Sequence, residues 1–141
     1  MNNNVIKLLL RLALSLGFLS AVADRFGLWN ENISAWGNWN SFLEYTQLIN
    51  PWIPSAMIPT VGIIATALEI VFSIFILIGF KTTLFAKLSG FLLLAFALSM
   101  TLSTGIKGAL DFSVFSASAG AFALSMLKEK YLELDTFFVK K

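Results

Sequence analysis

The sequence predicts an all-α, polytopic four-helix transmembrane bundle with both termini cytoplasmic and an aromatic outer loop that contains a short interfacial helix. Three observations predict it. AVILMFWYC residues make up 57% of the 141-residue chain and charged residues only 13%, with a mean hydropathy of +0.81. A water-soluble surface needs roughly twice that charged fraction. The apolar residues fall in four long blocks, and the basic residues gather at one end of the arrangement those blocks imply. A soluble helical bundle would need polar faces, which IFILIGF at 74–80 and FLLLAFALSM at 91–100 do not offer. The whole chain, 1–141, reads as one domain.

The first block, 5–23, is VIKLLLRLALSLGFLSAVA. At 1.5 Å per residue it spans about 28 Å, close to the thickness of the hydrocarbon core. Lys7 ahead of the apolar run and the small-x-small Ala21-Val22-Ala23 make a cleaved secretory signal the rival reading. Arg11, inside what would be the signal's apolar core, argues for a retained helix. The second block, 56–80, is apolar except for Glu69 and a few small hydroxyl residues, with Pro59 near its start. The third, 84–104, follows after a short Lys-Thr-Thr turn, so the two form a helical hairpin. The fourth, 110–127, is shorter and is closed by the charged run Lys128-Glu129-Lys130.

With a cytoplasmic N-terminus, the inner segments collect Lys7, Arg11, Lys81, Lys87, Lys128, Lys130, Lys140 and Lys141, while the outer segments hold only Arg25 and Lys107. That asymmetry obeys the positive-inside rule and expects a multi-pass protein of the cell inner membrane. The basic pI of about 9.0 then reflects topology and anionic lipid, with no call for nucleic acid.

All four tryptophans, Trp29, Trp36, Trp39 and Trp52, fall in or beside the outer loop 24–55, together with Tyr45. Tryptophan and tyrosine favour the headgroup layer. Apolar or aromatic residues at 39, 42, 43, 45, 48 and 49 follow a 3.6-residue period, which predicts an interfacial helix over 39–49 stopped by Asn50-Pro51 and Pro54. The loop reads as an anchoring belt, with a lid over a bundle cavity as the alternative. Ala13, Gly17 and Ala21 recur every four residues, as do Ser113, Ala117, Ala121 and Ser125, beside a second row of Ser116 and Gly120. Such rows are read as helix-packing faces.

Glu69 lies near the middle of its span, where an unpaired carboxylate is costly. The candidate intramembrane polar site is therefore Arg11 with Glu69, paired directly or through Ser15 or Thr66. A second candidate cluster, on the outer face, comprises Asp24, Arg25, Lys107 and Asp111, with Asp111 also placed to cap the fourth helix. Glu69 reads either as an internally neutralised packing bridge or as a ligand-facing carboxylate. Zero cysteines and zero histidines exclude disulfides, thiolate metal sites and the usual near-neutral acid–base group. No glycine-rich phosphate cradle or catalytic triad pattern is present, so no catalytic residue and no metal ligand is assigned.

RLALSLGFLSAVADRFGLW at 11–29, FLEYTQLINPWIP at 42–54, ATALEIVFSIFILIGFKTTLFAKLSGFLLLAFALSM at 65–100 and DFSVFSASAGAFAL at 111–124 together resemble the DoxX family of small bacterial four-helix membrane proteins. The resemblance covers essentially the whole chain and rests on the order of its elements. Arg11, Asp24, Arg25 and Glu69 match the family's polar pattern. Where relatives often carry a threonine-arginine pair, this chain has Lys81-Thr82-Thr83, and Ser73 stands where glycine is common. The resemblance implies a non-catalytic accessory component of a membrane redox system, quinone-linked in some relatives. No intrinsic cofactor is implied beyond a bound quinone, and the partners implied are lipids, a membrane redox protein or a second copy. The alternative is a small proton-coupled transporter, or a lipid- or small-molecule-binding protein, that uses Glu69.

Overall fold

The computed structural model describes residues 2–138, and every regular element among them is helical. In chain order these are α1 (Asn3–Arg25), α2 (Trp39–Ile49), a 3-10 turn (Ser55–Met57), α3 (Ile58–Ile78), α4 (Thr82–Thr104), α5 (Ile106–Asp111), α6 (Val114–Met126) and α7 (Asp135–Phe138). The fold is all-α. Three helical stretches, Asn3–Arg25, Ser55–Ile78 and Thr82–Thr104, are long and apolar enough to cross a membrane. Lys140 and Lys141, counted above with the cytoplasmic charges, lie outside the described residues.

Local chemistry sets the boundaries. Asn2 opens α1 by accepting from the Asn4 amide, and Asn38 opens α2 by accepting from the Ser41 amide at 2.9 Å. Pro59 occupies the first turn of α3, where its missing N–H leaves no acceptor unfilled. Helix α3 ends at Ile78, two residues before the expected end at 80, on Gly79 at φ 72°. Its amide donates to Ile76 and that of Phe80 to Phe75, the paired bonds that close a helix on a left-handed glycine.

The expected fourth helix over 110–127 is two helices. Phe112 and Ser113 separate α5 from α6, with Ser113 in the left-handed region at φ 56°. The 13 residues of α6 rise about 20 Å, short of the bilayer core on their own. Asp111 does not cap α6; it ends α5 and pairs with Lys107 one turn earlier, both exposed.

Helices α1, α3, α4 and α6 form a four-sided bundle in that cyclic order, and the α4–α6 seam is its tightest side. There Ser118 Oγ donates to the Gly90 carbonyl at 2.8 Å, and a Cβ on Gly90 would stand 2.8 Å from the Phe122 ring. Small residues bring these two backbones together. One core cluster joins Leu14, Ile76, Ala86, Ala121 and Leu124, and a second joins Ile49, Ala97, Met100 and Ala109. Large apolar side chains such as Leu16, Ile63, Ile64, Phe91 and Leu102 remain exposed around the outside, the arrangement expected where lipid is the solvent.

The chain after α6 crosses the end of the bundle that holds the α3–α4 turn. The Leu134 amide donates to Ile78 and the Asp135 amide to Gly79, while Asp135 Oδ1 accepts from the Lys81 amide at 2.9 Å. Gly79 is required twice here: its φ is positive, and a Cβ would lie 2.5 Å from Glu133 Cα.

Candidate functional site

Helix α2 lies across the other end of the bundle and is fastened on three sides. Asp24 at the end of α1 accepts from Ser34 Oγ and from the amides of Ala35 and Trp36, each amide at 2.9 Å. Asn50 accepts from Ser99 of α4 at 3.0 Å. Against α3, Gly62 lets α2 approach so closely that a Cβ would stand 2.7 Å from the Leu43 side chain. Trp36 packs on Phe42 and Tyr45, and Phe26 stacks on Trp39 at 5.9 Å.

Beneath α2 the bundle holds a partly open cavity of about 550 Å³. Its walls are mainly apolar, including Phe18, Trp36, Phe42, Phe96 and Met100. Arg25 and Glu69 are its charged lining residues. Burial in the same wall pushes the Tyr45 phenol above its ordinary value.

Arg25 turns inward from the last residue of α1. Its Nη2 lies 2.9 Å from Glu69 Oε1 and 2.7 Å from Oε2, and its Nη1 donates to Thr66 Oγ1 at 2.7 Å. Only the Oε1 contact is an aligned hydrogen bond; the Oε2 contact is coulombic. The guanidinium carbon sits 4.0 Å from the Phe42 ring centroid and 5.4 Å from that of Trp36. Arg25 is 3% exposed and Glu69 2%, and Arg25 Nε has no protein partner.

The expected Arg11–Glu69 pair does not form. Arg11 Nε donates to the Ile76 carbonyl and Nη2 to Leu77, while Nη1 donates to Tyr131 and Leu132, all at 2.8–2.9 Å. The cause is register. Ile76 lies seven residues beyond Glu69 on α3, about 10 Å by helical rise, and Arg11 stands in the Ile76 layer. Lys7 completes this second polar centre with a 2.9 Å ion pair to Glu133 and a bond to the Glu129 carbonyl. Arg11 therefore acts as a brace that ties the 127–134 segment to the C-terminal carbonyls of α3.

The expected outer-face cluster also separates. Arg25 belongs to the cavity, Asp24 organises the loop, and Lys107 with Asp111 form an exposed pair of their own. The aromatic residues divide as well. Trp29 and Trp52 are about half exposed, whereas Trp36 and Tyr45 line the cavity and Trp39 packs behind it. Sequence reasoning missed Phe42 as the platform under Arg25. The available signal was a cation at a helix exit followed by an aromatic-rich amphipathic helix.

The small-residue row Ala13, Gly17 and Ala21 lines the cavity instead of packing on a helix, and a Cβ on Gly17 would meet nothing within 4 Å. Among the described residues no cluster of three or more acidic side chains is placed to hold a metal ion. The site offers a positively charged donor with its counter-ion, aromatic faces and an apolar volume, which is the equipment of a binding site. Compared with protein-family models, curated proteins and solved structures, the chain matches none of them.

Proposed function

We propose that this chain is a multi-pass membrane protein that binds a small, largely apolar molecule under the α2 lid, with Arg25 presenting its donor to a polar group on that molecule. One observation carries the reading: a lidded apolar cavity of about 550 Å³ holds the buried Arg25–Glu69 ion pair in its wall. The volume falls in the range of about 300–1,000 Å³ typical of small-molecule sites, which pair apolar walls with a few placed polar groups. Because Glu69 neutralises Arg25, the favoured head is uncharged and accepts a hydrogen bond.

In this reading α6 and its flanks complete a fourth crossing, and both termini lie on the cytoplasmic side of a bacterial inner membrane. The gathering of Lys7, Lys81, Lys128 and Lys130 near one end supports that orientation. The resemblance to the DoxX family adds a role as an accessory to a membrane redox system. A quinone, with an apolar ring and carbonyl acceptors, has the chemistry the cavity favours. The close hold of Arg25 on Glu69 favours a fixed anchor over a carboxylate that cycles a proton for transport.

Native mass spectrometry of the detergent-extracted protein tests this reading. The wild type is expected to retain a small apolar molecule that Glu69→Gln and the cavity-filling Ala65→Phe both lose. Identical bulk lipid at equal occupancy in all three proteins would overturn it.

A further inference from the structure

The cavity beneath α2 has two conceivable ways in, through the lid or through a wall, and the structure treats them differently. The lid is pinned at Asp24, at Asn50 and along Gly62. The wall between α1 and α6, like that between α3 and α4, is looser than the α4–α6 and α1–α3 sides of the bundle. Toward the α3–α4 turn this seam is closed, where a Cβ on Gly120 would touch Leu10 at 3.7 Å. Toward the lid the facing residues shrink to Ala13 and Gly17 on α1 against Val114 and Ala117 on α6, all four lining the cavity.

Ala13, Gly17 and Phe112 line the cavity and are themselves exposed. The cavity is partly open, and its lining reaches the elbow where Ser113, at φ 56°, breaks α5 from α6. Phe112, 74% exposed, stands at that elbow. The surface around the gap is apolar, with Leu12 and Leu16 exposed on the same helix. Gly17 is the 15th residue of the 23 in α1, well inside a helix long enough to span. The gap leads to Arg25, which is 3% exposed and has an unpartnered Nε.

Resting on the binding reading above, we infer that the cavity takes its ligand sideways from the bilayer, through a window framed by Ala13 and Gly17 on one side and Val114, Ala117 and Phe112 on the other. The molecule admitted is a neutral amphiphile resident in the membrane, with a slim apolar body and a hydroxyl or carbonyl head. A window bounded by alanine and glycine passes a chain or a flat ring edge-on, and the aromatic wall beyond it receives the apolar body. A charged head is disfavoured because the window opens on hydrocarbon and Arg25, the cation in the cavity wall, already has its counter-ion.

A photolabelling time course tests the route. The full chain in phosphatidylcholine nanodiscs is mixed with vesicles carrying a fatty alcohol with a diazirine in mid-chain. Samples are flashed at successive times, and labelled peptides are mapped by mass spectrometry. In the wild type the peptide containing Trp36, Phe42 and Tyr45 is expected to take up label. Gly17→Phe and Ala117→Phe, which narrow the window from opposite sides, are expected to slow that uptake at least tenfold. Leu9→Phe, which adds a ring on α1 at an exposed residue outside the cavity and the window, keeps the wild-type rate and reports that α1 tolerates an added ring. Equal rates in the wild type and both phenylalanine variants would overturn the sideways route while leaving binding intact. Label confined to lipid-facing residues in the wild type, even at equilibrium, would overturn the binding reading itself. Faster uptake in Gly17→Phe, together with loss of a dimer, would show that a second copy covers the row, and would also overturn the route.

Discussion

Replacing Glu69 with leucine leaves the Arg25 guanidinium in a site where it is 3% exposed, without its counter-charge. Removing one partner of a buried ion pair costs about 3–5 kcal/mol. Arg25 keeps two supports in that variant, the 2.7 Å bond to Thr66 Oγ1 and the Phe42 face at 4.0 Å, which places the expected loss near the lower end, about 3 kcal/mol. Arg25→Met alone strands the carboxylate and is expected to cost a similar amount. The double variant R25M/E69L removes both charges into apolar surroundings and is expected within about 1 kcal/mol of the wild type, or above it. The coupling between the two sites, the two single losses together less that of the double variant, is then at least about 5 kcal/mol. Reversible unfolding in mixed micelles, followed by far-UV circular dichroism for the four proteins, measures it. Single-variant losses that simply add, within about 0.5 kcal/mol, would refute the coupling and with it the pair as the organiser of the cavity.

Arg11→Met is expected to free the 127–134 segment, raising its amide exchange while α1 stays protected. Arg11→Lys should not restore protection, because an ammonium lacks the planar fork that reaches four carbonyls. The glycines should separate by surroundings: Gly17→Ala is neutral or stabilising by up to about 1 kcal/mol, whereas Gly90→Ala costs about 1–3 kcal/mol by crowding Phe122, both read from the same unfolding assay. The hydrogen bond that Asn3 donates, helped by nearby Lys7, holds the Glu129 carboxyl below the usual carboxylate range. Since the folded value is the depressed one, its contribution is full above the ordinary glutamate value of about 4.3 and is lost as pH falls through the folded value. A carbon-13 titration should find Glu129 below that ordinary value in the wild type and moved back toward it in Asn3→Ala.

The parts of this protein that depend on neighbours in sequence are legible in the sequence alone. Composition and block length set the helical class and located the long apolar spans, because a bilayer solvent imposes those two requirements on any chain that crosses it. The helix at 39–49 stands at the residues its period marked, since amphipathic spacing and the Asn38 cap are local signals. What failed was local too: the break at Ser113 has no glycine or proline to announce it, so an apolar run read as one helix became two.

The tertiary structure alone decided which charges meet and which faces close. Arg11, Arg25 and Glu69 are all legible as residues that need partners, but a pairing depends on the axial offset and rotation of helices far apart in sequence. An offset of seven residues moves a partner by about 10 Å, enough to give Glu69 to Arg25 and Arg11 to the end of α3. The rows of small residues follow the same logic. Periodicity says that Ala13, Gly17 and Ala21 share a face, while only the packed bundle shows that this face borders a cavity and that Gly90 and Ser118 make the close seam. Sequence period determines a helix's faces; the helix opposite each face is set by long-range packing, which no window of neighbouring residues contains.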